Sequence, residues 1–572
     1  MRWSRKSFAG LLAFAMLALA GVWNRARLGA EDLPGTDQGR VVLRARFPAS
    51  GAAPRLALEG QRFQGSPELP CFYERRGFVP AWSEGGTLRR EVQELLAALA
   101  AAEDDGLRAE DYRPAALARL TAALRSHPEA GGLADLDLLL SDAFLTFAAH
   151  LRNGQVNPGA IYRDCALKRD PADLATVLEE ALTAGRVRAA LAGLAPPHRG
   201  YGLLREALGR YRRIAARGGP EPVPPGPTLR AGDRGERVAA LRTRLAEAAL
   251  SDAAEPLPAA EIPDLFDDPL EEAVRGFQRR HGLEDDGVAG PATLAELDQR
   301  AEDHVRQIEV NLERWRWLPR DLGRRHVLVN IAAFRLDAVE DGRSALDMRV
   351  IVGKPYTRTP MFSSAMEAVI LNPSWYVPRS IAVNEIFPKA RKDPSYLRRG
   401  GYEVLSGSRL RQKPGPQNAL GRVKFVFPNR FNVYLHDTPA RTLFDRTVRT
   451  FSHGCIRIEK PFDLAVWALR DEPQWTPEAI RAGIDAGRER RVPLRRTLPV
   501  HVAYWTAWVN EGGTLRLGRD VYERDAELAR LLQASSRPKE KAAGGSSANR
   551  AIPPRRALPP TLRDGPLRPQ RG

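Results

Sequence analysis

The chain has 572 residues, 43% of them hydrophobic and 27% charged, with a formal net charge of +17. That length exceeds one compact domain of roughly 100 to 200 residues, and the ordinary globular composition excludes a wholly disordered chain and a multi-span membrane protein. The basic excess favours acidic partners without choosing among nucleic acid, anionic lipid and anionic wall polymer, and the 3 cysteines allow at most one disulfide.

Arg2, Arg5 and Lys6 precede an apolar run from Phe8 to Trp23 that contains Ala18-Leu19-Ala20. A basic start, a short apolar stretch and an A-x-A site predict a secretory signal over 1–20, or an uncleaved anchor, and hence a periplasmic or cell-envelope location. Residues 21–60 have no sustained period and read as a tether. From 61 to 217 the period is helical: Val92, Leu95, Leu96 and Leu99 share one face, as do Leu140, Phe144, Phe147 and Leu151, which predicts a helical scaffold domain. The run from Gly218 to Pro227 breaks every helix and reads as a stiff linker. Within 218–300, Val238, Leu241 and Leu245, then Leu270, Ala273, Val274 and Phe277, predict a small helical bundle. Its strings Phe277-Gln278, Gly282-Leu283, Asp286-Gly287 and Gly290-Pro291-Ala292-Thr293-Leu294 resemble the peptidoglycan-binding module of many wall enzymes, although such turns also suit any small three-helix domain.

Over 301–533 the texture changes to β-branched runs bounded by Gly, Pro and Asn: Val327 to Ile331, Met348 to Gly353, Ala368 to Leu371, Arg422 to Phe427 and Asn432 to His436. A polar, helix-compatible stretch of about 381–411 is too long for an ordinary loop and reads as an inserted lid. Val500 to Val509 and Thr514 to Leu517 predict a late hairpin across Asn510-Glu511-Gly512-Gly513. The tail, 534–572, turns to Pro, Arg, Gly and Ser and reads as disordered, with nine basic and two acidic residues from 536 onward. Contact of this tail with an anionic polymer or lipid is a minority role. With much of the charge placed there, and no zinc-finger spacing, recognition helix or RNP-like aromatic motif, no nucleic-acid partner is expected. The whole is a multidomain α+β protein.

The chemistry concentrates in Tyr434-Leu435-His436-Asp437 and Ser452-His453-Gly454-Cys455-Ile456-Arg457. A structural zinc usually needs four ligands, and no companion Cys pair or H-x-x-x-H spacing is present, so no metal is expected. A Cys with an imidazole nearby is the pattern of a nucleophile with its base, because the thiolate reacts and the thiol needs help to ionise. Cys455 is then the nucleophile, His436 the general base and His453 an auxiliary group. Gly454 permits close approach, so the backbone N–H groups around Gly454 and Cys455 are candidate oxyanion donors. Arg457 either anchors a carboxylate or pins the turn through carbonyls; both remain open.

His436, fifteen intervening residues, then Ser452-His453-Gly454-Cys455 and Arg457 resemble the L,D-transpeptidases, cysteine enzymes that cross-link peptidoglycan. Asp437 stands where small members carry Gly. With the stretches Asn311 to Pro319 and Asn372 to Pro378, that departure resembles the large branch, which has a helical scaffold, a peptidoglycan-binding module and a lid-bearing catalytic domain. The resemblance implies a β-sandwich-like catalytic core, no cofactor, and peptidoglycan stem peptides and the sacculus as partners, with Tyr434, Ser452 and Arg457 at the substrate. It implies a ping-pong acyl transfer: Cys455 attacks an L-centre, expels D-alanine, and passes the acyl group to an amine, giving a 3-3 cross-link. Water in place of the amine gives an L,D-carboxypeptidase, and a protein acyl partner gives protein-to-peptidoglycan attachment. The alternative of another class is a non-catalytic wall-binding scaffold.

Overall fold

In a computed structural model of the protein, residues 35–535 are described, except 169, 219–220 and 406–408. The expected signal over 1–20 and the basic tail from 536 onward lie outside the described residues, while 534 and 535 close the helix Asp525–Ser535. Among the described residues no helix is long and apolar enough to cross a membrane.

The tether is corrected from residue 35 onward. Gly35–Ala45 is a helix that buries Leu43, and Arg55–Leu58 pairs with Gln61–Gln64 in a hairpin that buries Leu56 and Leu58. Both pack into one core with the 24-residue helix Ala130–Asn153. The patterns are an i, i+4 pair (Leu43, Phe47) and an i, i+2 pair, too short to show a period, and the scaffold supplies their burial. In that central helix the predicted stripe Leu140, Phe144, Phe147 and Leu151 is buried, each side chain contributing roughly 1.5 to 3 kcal/mol. Its buried Asp137 is satisfied by the Tyr73 hydroxyl at 2.7 Å and the Trp82 N–H at 2.8 Å.

The scaffold's last part changes allegiance. Tyr162, Cys165 and the helix Arg199–Ala216 belong to the core of the C-terminal β-rich region, where that helix lies on Ala301–Trp315. The Asn311 to Pro319 stretch is this junction: Arg314 reaches Asp525 at 2.6 Å, Arg316 reaches Glu313 at 3.1 Å, and Tyr201 donates to Asp105 at 2.8 Å. The linker is strapped down as well. Val223 is buried in the small bundle's core, and Arg237 donates to the Pro224 and Pro227 carbonyls at 2.7 Å each. That bundle is Glu236–Asp252, Asp268–Arg280 and Pro291–Leu297, and its Gln278 ties the turn by donating to Asp286 at 2.8 Å and accepting from the Gly287 N–H at 3.0 Å.

The strands of the large sheet are β1 (Arg325–Asn330), β2 (Arg335–Glu340), β3 (Arg343–Gly353), β4 (Phe362–Leu371), β5 (Val423–Val426), β6 (Leu435–His436), β7 (Thr450–Ser452), β8 (Ile456–Ile458) and β9 (Arg490–Ala503). Their order is β7-β3-β8-β6-β5-β4-β9-β1-β2, and a further β2–β3 pairing closes the ladder on itself, leaving β7 as the strand outside the ring. The β-rich fold is thus a closed barrel rather than two stacked sheets. The late hairpin is shorter than expected: β9 runs between β1 and β4, and only Ala507–Val509 pairs with Leu515–Leu517. Thr506 breaks the strand because Asn311 and Asp525 capture it, at 2.9 Å and 2.6 Å.

The insertion begins before 381. Trp375–Val377, Leu410–Gln412 and Tyr402–Val404 form a three-stranded sheet, with helical turns over 379–399 and a small core of Val377, Ala382, Ile386 and Leu410. Cys71, Cys165 and Cys455 are all free thiols.

Candidate functional site

Strand alternation assembles the site. On β5, Val423 and Phe425 fill the barrel and Lys424 faces out. On β6, Leu435 is inside, with Tyr434 and His436 on the outer face. On β8, Ile456 and Ile458 are inside, with Cys455 and Arg457 outward. The registers Lys424↔His436 and His436↔Arg457 set these groups on neighbouring strands.

The turn that carries Cys455 satisfies itself. Ser452 Oγ donates to the Cys455 carbonyl at 2.5 Å and accepts the Gly454 N–H at 3.1 Å, and Thr359 Oγ1 donates to the Gly454 carbonyl at 2.9 Å. Gly454 sits at φ +113°, a conformation that requires glycine. Two expectations change here. The Gly454 N–H is spent on Ser452 rather than open to an oxyanion, and Ser452, 2% exposed, staples the turn rather than meeting substrate. In a tight turn the nearest hydroxyl meets the polar groups the backbone leaves unpaired.

His436 is buried, with Nδ1 2.5 Å from the Asp437 carbonyl. A carbonyl only accepts, so Nδ1 carries the proton and Nε2 is the basic nitrogen. Burial first, then the Arg457 guanidinium and the Lys424 ammonium, push this imidazole down to about 3, against the bond to Asp437. Burial pushes the Cys455 thiol up, while the Tyr434 peptide N–H and hydroxyl, then Lys424 and Arg457, pull it down. At rest the pair is a neutral thiol and a neutral imidazole.

His453 turns elsewhere: its Nε2 lies 2.6 Å from Glu385 Oε1 on the insertion, so it ties the Cys455 turn to the insertion. Arg457 has a buried Nε with no hydrogen-bond partner and no carboxylate partner among the described residues. Asp437 explains itself locally, accepting from the Arg422 N–H at 2.8 Å and the Thr438 N–H at 2.7 Å and pairing with Arg441 at 3.2 Å.

Three contributors escaped the sequence reading. Lys424 Nζ lies 3.7 Å from the Tyr434 ring centroid, Trp375 hydrogen-bonds the Tyr434 side chain, and Glu385 meets His453. Lys424 left a signal, since a lysine amid Val423, Phe425 and Phe427 marks the outward face of that strand. Among the described residues no cluster of three or more His, Cys, Asp or Glu is placed to hold a metal.

Residues 324–488 match the family described as the L,D-transpeptidase catalytic domain. This chain carries an L,D-transpeptidase catalytic domain. Ahead of this L,D-transpeptidase domain, residues 67–208 match a family described as a scaffold domain and 234–297 one described as "Putative peptidoglycan binding domain". A Haemophilus influenzae protein named "Putative L,D-transpeptidase" is 32% identical over 244 residues, which is 39% of this chain and 49% of that protein. The chain thus spans about half the length of this curated relative. Among solved structures, the Xylanimonas cellulosilytica L,D-transpeptidase (residues 123–326) is 20% identical, with 49% of this chain and 100% of that one covered at a TM-score of 0.17. An L,D-transpeptidase from Mycobacterium smegmatis is 17% identical, with 31% and 58% covered at a TM-score of 0.18.

Proposed function

We propose that the protein is a peptidoglycan L,D-transpeptidase that forms 3-3 cross-links between stem peptides through a Cys455 thioester, releasing D-alanine. The observation that carries this reading is the shared outer face of β5, β6 and β8, whose registers bring Lys424, His436 and Arg457 to neighbouring strands with Cys455 leading into β8, the two cations being without ion-pair partners among the described residues. His436 Nε2 takes the thiol proton as Cys455 Sγ attacks the carbonyl of the L-centre at stem position three. The C–N bond to D-alanine then breaks, and the imidazolium returns its proton to the departing amine. The side-chain amine of a second stem attacks the thioester, His436 accepts its proton, and the sulfur leaves to be restored as thiol. In this reading the Cys455 N–H takes the oxyanion role that Gly454 has given up, and Arg457 meets a stem carboxylate.

The matched peptidoglycan-binding domain supports the sacculus as partner, acting by raising local concentration. The basic N-terminal segment and its apolar run support export to the periplasm or cell envelope. Carbapenems are expected to acylate the same thiol. Incubating the full chain with purified tetrapeptide muropeptides, read by mass spectrometry, tests the proposal. A cross-linked dimer with loss of D-alanine is expected. Tripeptide alone would establish the carboxypeptidase, a muropeptide joined to protein the attachment activity. No product from folded protein, or dimer from Cys455→Ala, would overturn the reading.

A further inference from the structure

We infer that Lys424 is an electrostatic positioning residue whose ammonium holds the negative charge developing on Cys455 Sγ. The inference rests on Cys455 as nucleophile and deepens that reading. Lys424 is the register partner of His436 on β5 and projects to the outer face between two buried neighbours. Its Nζ is 3.7 Å from the centroid of the Tyr434 ring, a cation–π contact that confines the ammonium. Tyr434 is also the residue whose peptide N–H and hydroxyl meet the sulfur. Tyr434 therefore neighbours both the cation, through its ring, and the sulfur, through its N–H and hydroxyl.

The other charges around this corner leave Lys424 the task. From β6, His436 is neutral at rest and its Nδ1–H is committed to Asp437. From the nucleophile turn, His453 is committed to Glu385 of the lid. Trp375 of the lid is neutral, and Glu489, leading into β9, acts on Lys424 without reaching ion-pair distance. From β8, Arg457 shares the face, but it has no ring to pin it and remains available to a substrate carboxylate. When the thiol proton moves to His436, a sulfur anion and an imidazolium appear together. Lys424 favours the first and opposes the second, and so sets how much thiolate the site holds at a given pH. In a site shielded from water, a neighbouring cation is worth much more than at the surface.

The test is the pH dependence of Cys455 alkylation by iodoacetamide in the full chain, without substrate, read by peptide mass mapping so that Cys71 and Cys165 do not contribute. Lys424→Met is expected to move the alkylation midpoint up by about one pH unit or more, slowing alkylation near neutral pH by about tenfold, and Lys424→Arg to restore most of the rate. An unmoved midpoint in folded Lys424→Met would overturn the inference, as would a raised KM for muropeptides with unchanged alkylation, the mark of a carboxylate clamp. If the Met variant does not fold, Lys424→Gln against Lys424→Arg makes the same comparison. Since no muropeptide enters the assay, a shifted midpoint without cross-linking would count against the proposed function alone, and normal cross-linking with an unshifted midpoint against Lys424 alone.

Discussion

His281, where the peptidoglycan-binding domain meets the rest of the chain, and His436, on the catalytic face, are each 4% exposed, yet they are driven to opposite charge states. His281 Nδ1 lies 2.9 Å from Glu296 and Nε2 3.2 Å from Asp252, and its ring stacks on Phe277 with centroids 4.0 Å apart. Burial pulls its imidazole down, but Asp252 and then Glu296 outweigh burial and raise it. Asp252 itself is held at about 2: burial alone would raise it, and His281 and Arg280 reverse the sign. Tyr211, from the helix Arg199–Ala216, donates to the other Asp252 oxygen at 2.7 Å, so this buried charge cluster also fastens the small bundle to its neighbour. His436 meets a carbonyl and two cations instead, and sinks to about 3. Burial makes charge costly in both places, and the neighbours decide whether the cost is met. One imidazole is thereby favoured as the charged form in a fastening cluster and the other as the neutral form.

The largest effect should come from removing the neutral member. His436→Ala is expected to slow acylation of Cys455 on the order of 10² to 10⁴-fold while leaving a folded protein, measured by mass spectrometry of the acyl-enzyme. A normal rate would return the base role to His453. Removing the charged member's support should act on stability instead. Asp252→Asn leaves Arg280 buried with its charge unmet and His281 with Glu296 alone, which costs about 3 to 5 kcal/mol in urea unfolding. Turnover of soluble muropeptides below the unfolding midpoint should hardly change. If stability were unchanged, the cluster would not be the fastener described above.

Titration should separate the two histidines by sign. His436 at about 3, and His304 and His501 at about 4, have folded values below the unfolded reference of 6.5. Their contribution is complete above about 6.5 and is lost as pH falls toward those values. Asp142, raised to about 6 by burial, offsets part of that acid loss, because its buried carboxylate is relieved as it protonates. His281 has a raised folded value, so its contribution is present below about 6.5 and is lost as pH rises through that value. Unfolding midpoints followed from acid to alkaline pH should therefore fall at both ends. His281→Asn should flatten the alkaline limb and leave the acid limb in place; an unchanged alkaline limb would mean the imidazolium contributes nothing.

The smallest effect checks that the contrast is electrostatic throughout, with no covalent link behind it. Cys71 is exposed on a scaffold helix and Cys165 is buried in the catalytic core. Denatured, unreduced protein should titrate three thiols, and reductant should leave the unfolding midpoint where it was. A count of one would restore a scaffold disulfide.

Local sequence determined whatever depends on nearest neighbours. Helical periods at Leu140 and Phe144 or Leu241 and Leu245, β-branched strands, and the spacing from His436 to Cys455 are all readable along the chain, because i, i+3, i+4 and i, i+2 patterns state which face is buried. The Cys/His pattern is equally local, which is why His436 and Cys455 could be named from the residues, and Tyr434 from the resemblance they carry. Tertiary structure decided what those side chains meet. The Gly454 N–H belongs to Ser452, His453 answers to a glutamate 68 residues earlier, and Lys424 stands over Tyr434. The short elements from residue 35 to 64 were hidden for the same reason: they are stabilised by partners far along the chain, in one core with Ala130–Asn153. Hydrogen bonds and charge pairs between distant segments leave no period in the sequence, and the charge states of His281 and His436 rest on such contacts, being set by what packs around each ring.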